Sequence, residues 1–426
     1  MSDVTHRHFE TIWFPFTKGT IPQLPIFIKK AKGSRLYDVS GKEYIDAISS
    51  WWVNIFGHAY PPIVEAIQRQ AMDLPHVAMA DFFHEKAIEV ANGILNLKPG
   101  FKKVFFSDDG STSVEVALKL SIQYWQACGI NKIKIFSLEN AYHGDTFGAM
   151  AASSPSVFNE NFKSLTFQNI VLPLPNQNNL PEIYSKIESH HSADTAMVFI
   201  FEPLVQGAGG MQMYEALYLD KLLNFFKQFP SILIADEVMT GFYRTGKLFA
   251  TDYLQTPVDM LCLSKGLTGG FLPLGLTLIN HKISEKFTTN TGETLPVFYH
   301  GHSYTGNALA CSAAAVTIKH IQNESVKNAV KNIAKFWQNT AIPLLKNHKI
   351  VANLRQTGTI IAFEWLENQN NYLHPVSFEL KKFFMQNGIY CRPLGNTLYF
   401  MPPYCITNDE LQKILEVTLK KVEATA

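Results

Sequence analysis

From about residue 100 to residue 280, short apolar runs alternate with stretches of helical period, and that alternation leaves few folds open. Residues 103–107, 134–137, 196–201, 231–235 and 260–263 are apolar on both faces, so as strands they need cover above and below. Stretches such as 113–127 and 217–228 are amphipathic and can provide it. Strands of this kind separated by helices imply an α/β fold with a mostly parallel, doubly covered sheet. The C-terminal part reads differently. It has a long helical pattern over 308–345, short strands near 359–364 and 397–401, and helices over 377–386 and 408–422. This is the pattern of a smaller α+β domain. The proline- and aromatic-rich start is expected to pack against it. The expected organisation is therefore an N-terminal segment over 1–55, a large domain over 56–307 and a small domain over 308–426.

The 426 residues carry 37 Lys+Arg against 36 Asp+Glu, a net charge of +1, so no strong field steers the chain to nucleic acid or to an anionic membrane. The start, residues 1–10, is polar and lacks the apolar core of a signal peptide. No uncharged apolar run reaches the ~18 residues of a membrane helix. Five scattered cysteines with no Cys-x-x-Cys pair argue against a disulfide framework or a zinc knuckle. A cytoplasmic protein is expected.

Four short segments carry chemistry. In Leu263-Ser264-Lys265-Gly266-Leu267-Thr268-Gly269-Gly270 a lysine follows an apolar strand and precedes a glycine-rich turn, where an open sheet meets a ligand crevice. Taken alone it reads more readily as a solvated loop lysine, and its neighbours upstream change that balance. Asp236, 29 residues earlier, ends an apolar strand; an acid there is desolvated and needs a cation or several hydrogen-bond donors. The separation allows one crossover, so both groups can reach one crevice. In Phe105-Phe106-Ser107-Asp108-Asp109-Gly110-Ser111-Thr112 a strand turns into a helix, and Thr112 and Glu115 have capping-box spacing. The N–H groups of Gly110 and Ser111 then offer an anion site at the helix start. Finally, Tyr142 in Asn140-Ala141-Tyr142-His143-Gly144-Asp145-Thr146 can stack on a flat ring, or can equally be core.

Together these supply an amine, a carboxylate, a phosphate cradle and a stacking aromatic, which suits pyridoxal phosphate. Lysine forms a Schiff base with its aldehyde, and the aspartate keeps its pyridine nitrogen protonated. Competing motifs are weaker. Gly207-Ala208-Gly209-Gly210 lacks dinucleotide spacing, and His300-Gly301-His302 offers two ligands without a third, so no metal is expected. Trp51-Trp52, normally core, stands before the Gly57-His58 loop and can wall a long apolar substrate pocket.

These segments resemble the class III (subgroup II) aminotransferases of the fold-type-I pyridoxal-phosphate superfamily, over nearly the whole chain from Trp13. Further motifs carry the resemblance: Ile12-Trp13-Phe14-Pro15-Phe16-Thr17, Ser49-Ser50-Trp51-Trp52, Glu202-Pro203-Leu204-Val205-Gln206-Gly207, and Arg392-Pro393-Leu394-Gly395 leading to Met401-Pro402-Pro403-Tyr404. The resemblance implies a homodimer with shared active sites, acting on small molecules. It is narrowest to the members that aminate 8-amino-7-oxononanoate to 7,8-diaminononanoate in biotin biosynthesis.

By the same resemblance Lys265 is the Schiff-base and proton-shuttling lysine, Asp236 pairs with the pyridine nitrogen, and Val238 packs on the ring opposite Tyr142. Gly110 and Ser111 hold the phosphate, joined by His302-Ser303 from the neighbouring subunit. Phe16, Trp51, Trp52, Tyr142, Gly301 and Arg392 line the substrate pocket, with Arg392 holding the distal carboxylate in a fork. Phe16 replaces a usual tyrosine, and Tyr243 a usual glycine before Arg244. Phe16 and the segment from His300 to Asn307 resemble lysine-using relatives; Ser50-Trp51-Trp52 and the Arg392 segment resemble S-adenosylmethionine users. S-adenosylmethionine is the expected donor and lysine the alternative. Another class III ω-amine aminotransferase, or a non-catalytic regulator carrying the fold, are the rivals.

Overall fold

A computed structural model describes residues 11–17, 25–288, 296–365 and 374–425. The polar start over residues 1–10 therefore lies outside the described residues. Seven strands form the central sheet: β1 (Phe101–Ser107), β2 (Lys132–Leu138), β3 (Ile170–Leu172), β4 (Thr195–Phe201), β5 (Ser231–Asp236), β6 (Met260–Leu263) and β7 (Gly275–Asn280). Their order is β1-β7-β6-β5-β4-β2-β3. Only β7 runs against the rest, antiparallel to both β6 and β1. The mostly parallel sheet expected from the apolar runs is present. Strands β3 and β7 were not anticipated: β3 has three residues, and β7 directly follows the Gly269-Gly270 and Pro273 breaks.

The two-faced burial that predicted these strands is visible residue by residue. Phe199, Phe201, Leu233, Ala235, Leu261 and Leu263 point into one core, and Val198, Ile200, Ile232, Ile234, Met260 and Cys262 into the other. All are fully buried, and a large aliphatic or aromatic side chain gains roughly 1.5–3 kcal/mol from such burial. The second core is closed by the helix Gly110–Ala127, through Val114, Ala117, Leu118 and Tyr124.

That helix starts earlier than its expected Thr112–Glu115 cap. Asp109 is the cap instead: its carboxylate accepts from the Thr112 N–H at 2.8 Å, and its own N–H donates to the Thr112 hydroxyl at 3.0 Å. Glu115 lies a turn further on and turns sideways, accepting from the Thr146 hydroxyl and the Ala149 N–H.

The pattern over 308–345 is likewise broken. Helices Ala308–His320 and Glu324–Phe336 are separated by an extended Asn323, and a π turn, Trp337–Ala341, precedes Pro343, which has no N–H to donate. Strands Val351–Thr357, Ile360–Trp365 and Thr397–Phe400 make a second, antiparallel sheet. A third sheet joins distant parts of the chain. Strands Ile28–Lys32, Arg35–Asp38 and Glu43–Asp46 are extended by Ile389–Tyr390, which runs parallel to Glu43–Asp46 with Tyr390 opposite Asp46. Among the described residues no helix is long and apolar enough to cross a membrane.

Candidate active site

The carboxyl ends of the parallel strands face one cavity of about 700 Å³. Register explains the convergence. Asp236, the last residue of β5, stands opposite Cys262 of β6, so Lys265 emerges just past the neighbouring strand end. Adjacent strands lie about 4.8 Å apart. Lys265 and Asp236 both line the cavity, with Gly110, Ser111, Tyr142, Val238 and Trp52. The amine and acid predicted to meet do meet in one space.

Lys265 is half-buried, its exposed part belonging to the cavity wall, and its backbone is left-handed (φ 43). Its Nζ lies 4.7 Å from the centre of the Trp52 ring. Loss of solvation pulls the amine below the ordinary lysine range, an effect only partly offset by Asp236 and Glu202. Asp236 is buried, and its partners are now identified. Oδ2 pairs with His143 Nδ1 at 2.7 Å, and Oδ1 accepts from the Val238 N–H at 3.1 Å. His143 and Glu202 were missed as site residues. Glu202 accepts from the Tyr142 and Gly207 N–H groups, at 3.2 and 2.8 Å, and burial pushes its carboxyl up to about 7. Its place directly after the buried run 196–201 was the available signal.

At the helix start Gly110 is required sterically, because a Cβ there would stand 2.5 Å from Val238 Cγ1. Ser111 Oγ contacts the Thr146 hydroxyl at 2.7 Å and accepts from the Thr146 N–H at 3.0 Å.

Beside the cavity, but outside its lining, stand Phe16, Trp51 and Arg392. The Arg392 guanidinium lies 4.1 Å from the Trp51 ring centre and 6.0 Å from that of Phe16. Phe16 contacts Trp51 and Phe158 at 5.3 and 6.0 Å, and Phe158 contacts Tyr142 at 5.4 Å. An aromatic run thus leads from Arg392 to the cavity. Phe158, set in a polar stretch, gave no sequence signal.

Trp51 and Trp52 sit on an unusual turn. Ser49, Ser50, Trp51 and Trp52 all have positive φ (53, 45, 68 and 77), and the Trp52 N–H bonds the Ile48 carbonyl at 2.8 Å. This is one turn of left-handed helix, costing roughly 1–2 kcal/mol per residue for L-amino acids.

The 300–303 segment does not enter this cavity. His300 meets Lys119 at 3.0 Å, His302 Nδ1 lies 3.3 Å from Asp108, and Gly301 and Ser303 are exposed. Among the described residues no group of three or more His, Cys, Asp and Glu side chains is arranged to hold a metal ion.

The donor set fits pyridoxal phosphate. The cavity brings together a desolvated amine, a buried carboxylate, a helix start with room kept by a glycine, and a buried His143 whose Nε2 has no partner. Comparison with known proteins agrees. The family description "Aminotransferase class-III" matches residues 17–422. An adenosylmethionine-8-amino-7-oxononanoate aminotransferase of Synechococcus elongatus is 41% identical, over 96% of this chain and 97% of its own. The crystal structure of the Methanocaldococcus jannaschii enzyme of the same name is 32% identical with a TM-score of 0.93, covering 100% of this chain and 99% of that one. A PLP-bound amine transaminase from an uncultivated Pseudomonas species is 26% identical with a TM-score of 0.86, covering 97% and 98%. With the amine, the acid and the helix start converging as such chemistry requires, the chain belongs to the class III aminotransferases, enzymes that depend on pyridoxal 5'-phosphate.

Proposed function

We propose that this enzyme transfers an amino group to the ketone of 8-amino-7-oxononanoate, giving 7,8-diaminononanoate for biotin biosynthesis, with S-adenosylmethionine as donor. The names of its relatives support the substrate pair. The observation that carries it is Arg392 over Trp51, at the far end of an aromatic run reaching Tyr142. A guanidinium there suits the distal carboxylate of a long, otherwise apolar acceptor, and the run through Trp51, Phe16 and Phe158, with Trp52 on the cavity wall, suits its chain.

When bound, the cofactor supplies an aldehyde that carries the amino group between the two substrates and a ring that takes up electrons from the deprotonated carbon. Lys265 Nζ anchors it. Because burial favours its neutral form, the same nitrogen is suited to take a proton from the substrate carbon and return it. The Asp236 carboxylate, held by His143 and the Val238 N–H, would keep the cofactor's ring nitrogen protonated. The N–H groups of Gly110 and Ser111 would hold its phosphate, and Tyr142 and Val238, which line the same cavity, would hold its ring.

We infer a homodimer in which Ser303 of the partner subunit, beside His302 and Gly301, completes the phosphate end and the pocket rim. In support, Gly301 and Ser303 are exposed on the single chain, and Tyr299 and Tyr304 are 87% and 61% exposed. A cytoplasmic enzyme acting on small molecules, with neither nucleic acid nor membrane as partner, completes the reading.

The test is incubation of the cofactor-loaded enzyme with 8-amino-7-oxononanoate and either S-adenosylmethionine or lysine, with product read by mass spectrometry. Diaminononanoate from S-adenosylmethionine is expected. Product with lysine alone reassigns the donor, and product with neither rejects the acceptor.

A further inference from the structure

The left-handed turn Ser49–Trp52 contains no glycine, yet four consecutive residues hold positive φ. Such a conformation persists only where its surroundings over-determine it. Its ends are tied to distant backbone and side chains. The Ser49 hydroxyl donates to the Met401 carbonyl at 2.8 Å, the Trp52 indole N–H to the Tyr399 hydroxyl at 2.9 Å, and the Arg244 guanidinium to the Trp52 carbonyl at 3.1 Å. Its middle is held by Asp46, with His58 Nε2 also 3.4 Å from the Ser50 hydroxyl. Asp46 is fully buried and accepts from the Ser50 N–H at 2.8 Å and from the Ser50 hydroxyl at 2.7 Å. His58 Nε2, half-buried, meets the same carboxylate at 2.8 Å and fixes it from the other side.

Asp46 also ends the strand whose partner, Tyr390, stands two residues before Arg392. One short stretch of backbone therefore sets both the Trp51 ring and the guanidinium 4.1 Å from it. We propose that Asp46, clamped by His58, is a positioning residue for the acceptor. It keeps the turn left-handed, and so keeps Trp51 and Trp52 aimed at the path that ends at Arg392. The inference rests on the reading of Trp51, Trp52 and Arg392 as the acceptor path.

The experiment uses the cofactor-loaded enzyme and compares Asp46→Ala, Asp46→Ala/Ser50→Gly, His58→Ala and Arg392→Ala. Cofactor absorbance, steady-state kinetics and calorimetric binding of 8-amino-7-oxononanoate are measured for each. Asp46→Ala should keep the cofactor spectrum and most of kcat while raising the acceptor KM and Kd about tenfold, the effect of losing a charge-assisted tether. Adding Ser50→Gly should return most of that loss, because glycine adopts positive φ freely; a merely structural carboxylate would not be rescued so. His58→Ala should raise the same constants about threefold, and it decides the matter if Asp46→Ala does not fold. Acceptor constants unchanged in the Asp46 and His58 variants while Arg392→Ala weakens the acceptor would overturn this inference alone. A rise that glycine does not rescue also overturns it. If Arg392→Ala too leaves the acceptor constants unchanged, the underlying pocket reading falls with it.

Discussion

Replacing Glu202 by glutamine isolates the cost of a buried acid at the cavity. The carboxyl sits at about 7 against an ordinary 4.5, raised chiefly by desolvation. Below pH 4.5 it is protonated in the folded and the unfolded chain alike. Between 4.5 and 7 the unfolded chain releases the proton and the folded chain retains it, so stability falls as pH rises. Above 7 both are ionised and the loss is complete. At 1.36 kcal/mol per pH unit, the window is worth about 3 kcal/mol. Glutamine has no such slope. It carries a separate, pH-independent penalty of about 1–3 kcal/mol, because its amide cannot accept from both the Tyr142 and the Gly207 N–H groups.

The stability of Glu202→Gln relative to the parent should therefore start negative at pH 4.5 and climb by about 3 kcal/mol by pH 8. For 426 residues the unfolding entropy is roughly 0.9 kcal/mol per degree, so the difference in Tm should move by about 3–4 °C. Scanning calorimetry of the cofactor-stripped protein across this range reads it. A Tm difference that stays constant with pH would refute the assignment of Glu202 as a desolvated acid.

Other perturbations are sharper. Lys265→Ala should lose turnover and the visible absorbance of retained cofactor after gel filtration; an active, coloured variant contradicts its role. Arg392→Ala should raise the KM for 8-amino-7-oxononanoate by about 10- to 100-fold with a much smaller change for the donor, measured in separate half-reactions. Gly110→Ala drives a methyl to 2.5 Å from Val238, and fluorescence titration should show cofactor Kd weakened at least about tenfold. Wild-type affinity there would mean that the helix start does not hold the phosphate.

The large sheet was legible because its strands are apolar on both faces, a pattern that needs no knowledge of distant partners. The pairing of Lys265 with Asp236 was legible for a related reason: both lie at ends of strands whose direction the α/β alternation dictates. The Thr112–Glu115 cap misled because spacing alone cannot distinguish a glutamate that caps from one drawn away to Thr146. His143 remained hidden as the aspartate's partner, since its approach depends on how the loop after β2 folds over β5. The neighbourhood of Trp51 and Arg392 came from family resemblance only. It is made by the parallel pairing of Glu43–Asp46 with Ile389–Tyr390, and no local pattern announces a contact across so much chain.

That same pairing dictates an order of assembly on the ribosome. The seven-stranded sheet can close once residue 280 has emerged, but strand Glu43–Asp46 must wait for Ile389, and the turn after it for Tyr399 and Met401. A nascent chain halted between these points would carry Lys265 and Asp236 in one crevice that still lacks its Trp52 wall. A segment made before the sheet thus takes shape after it.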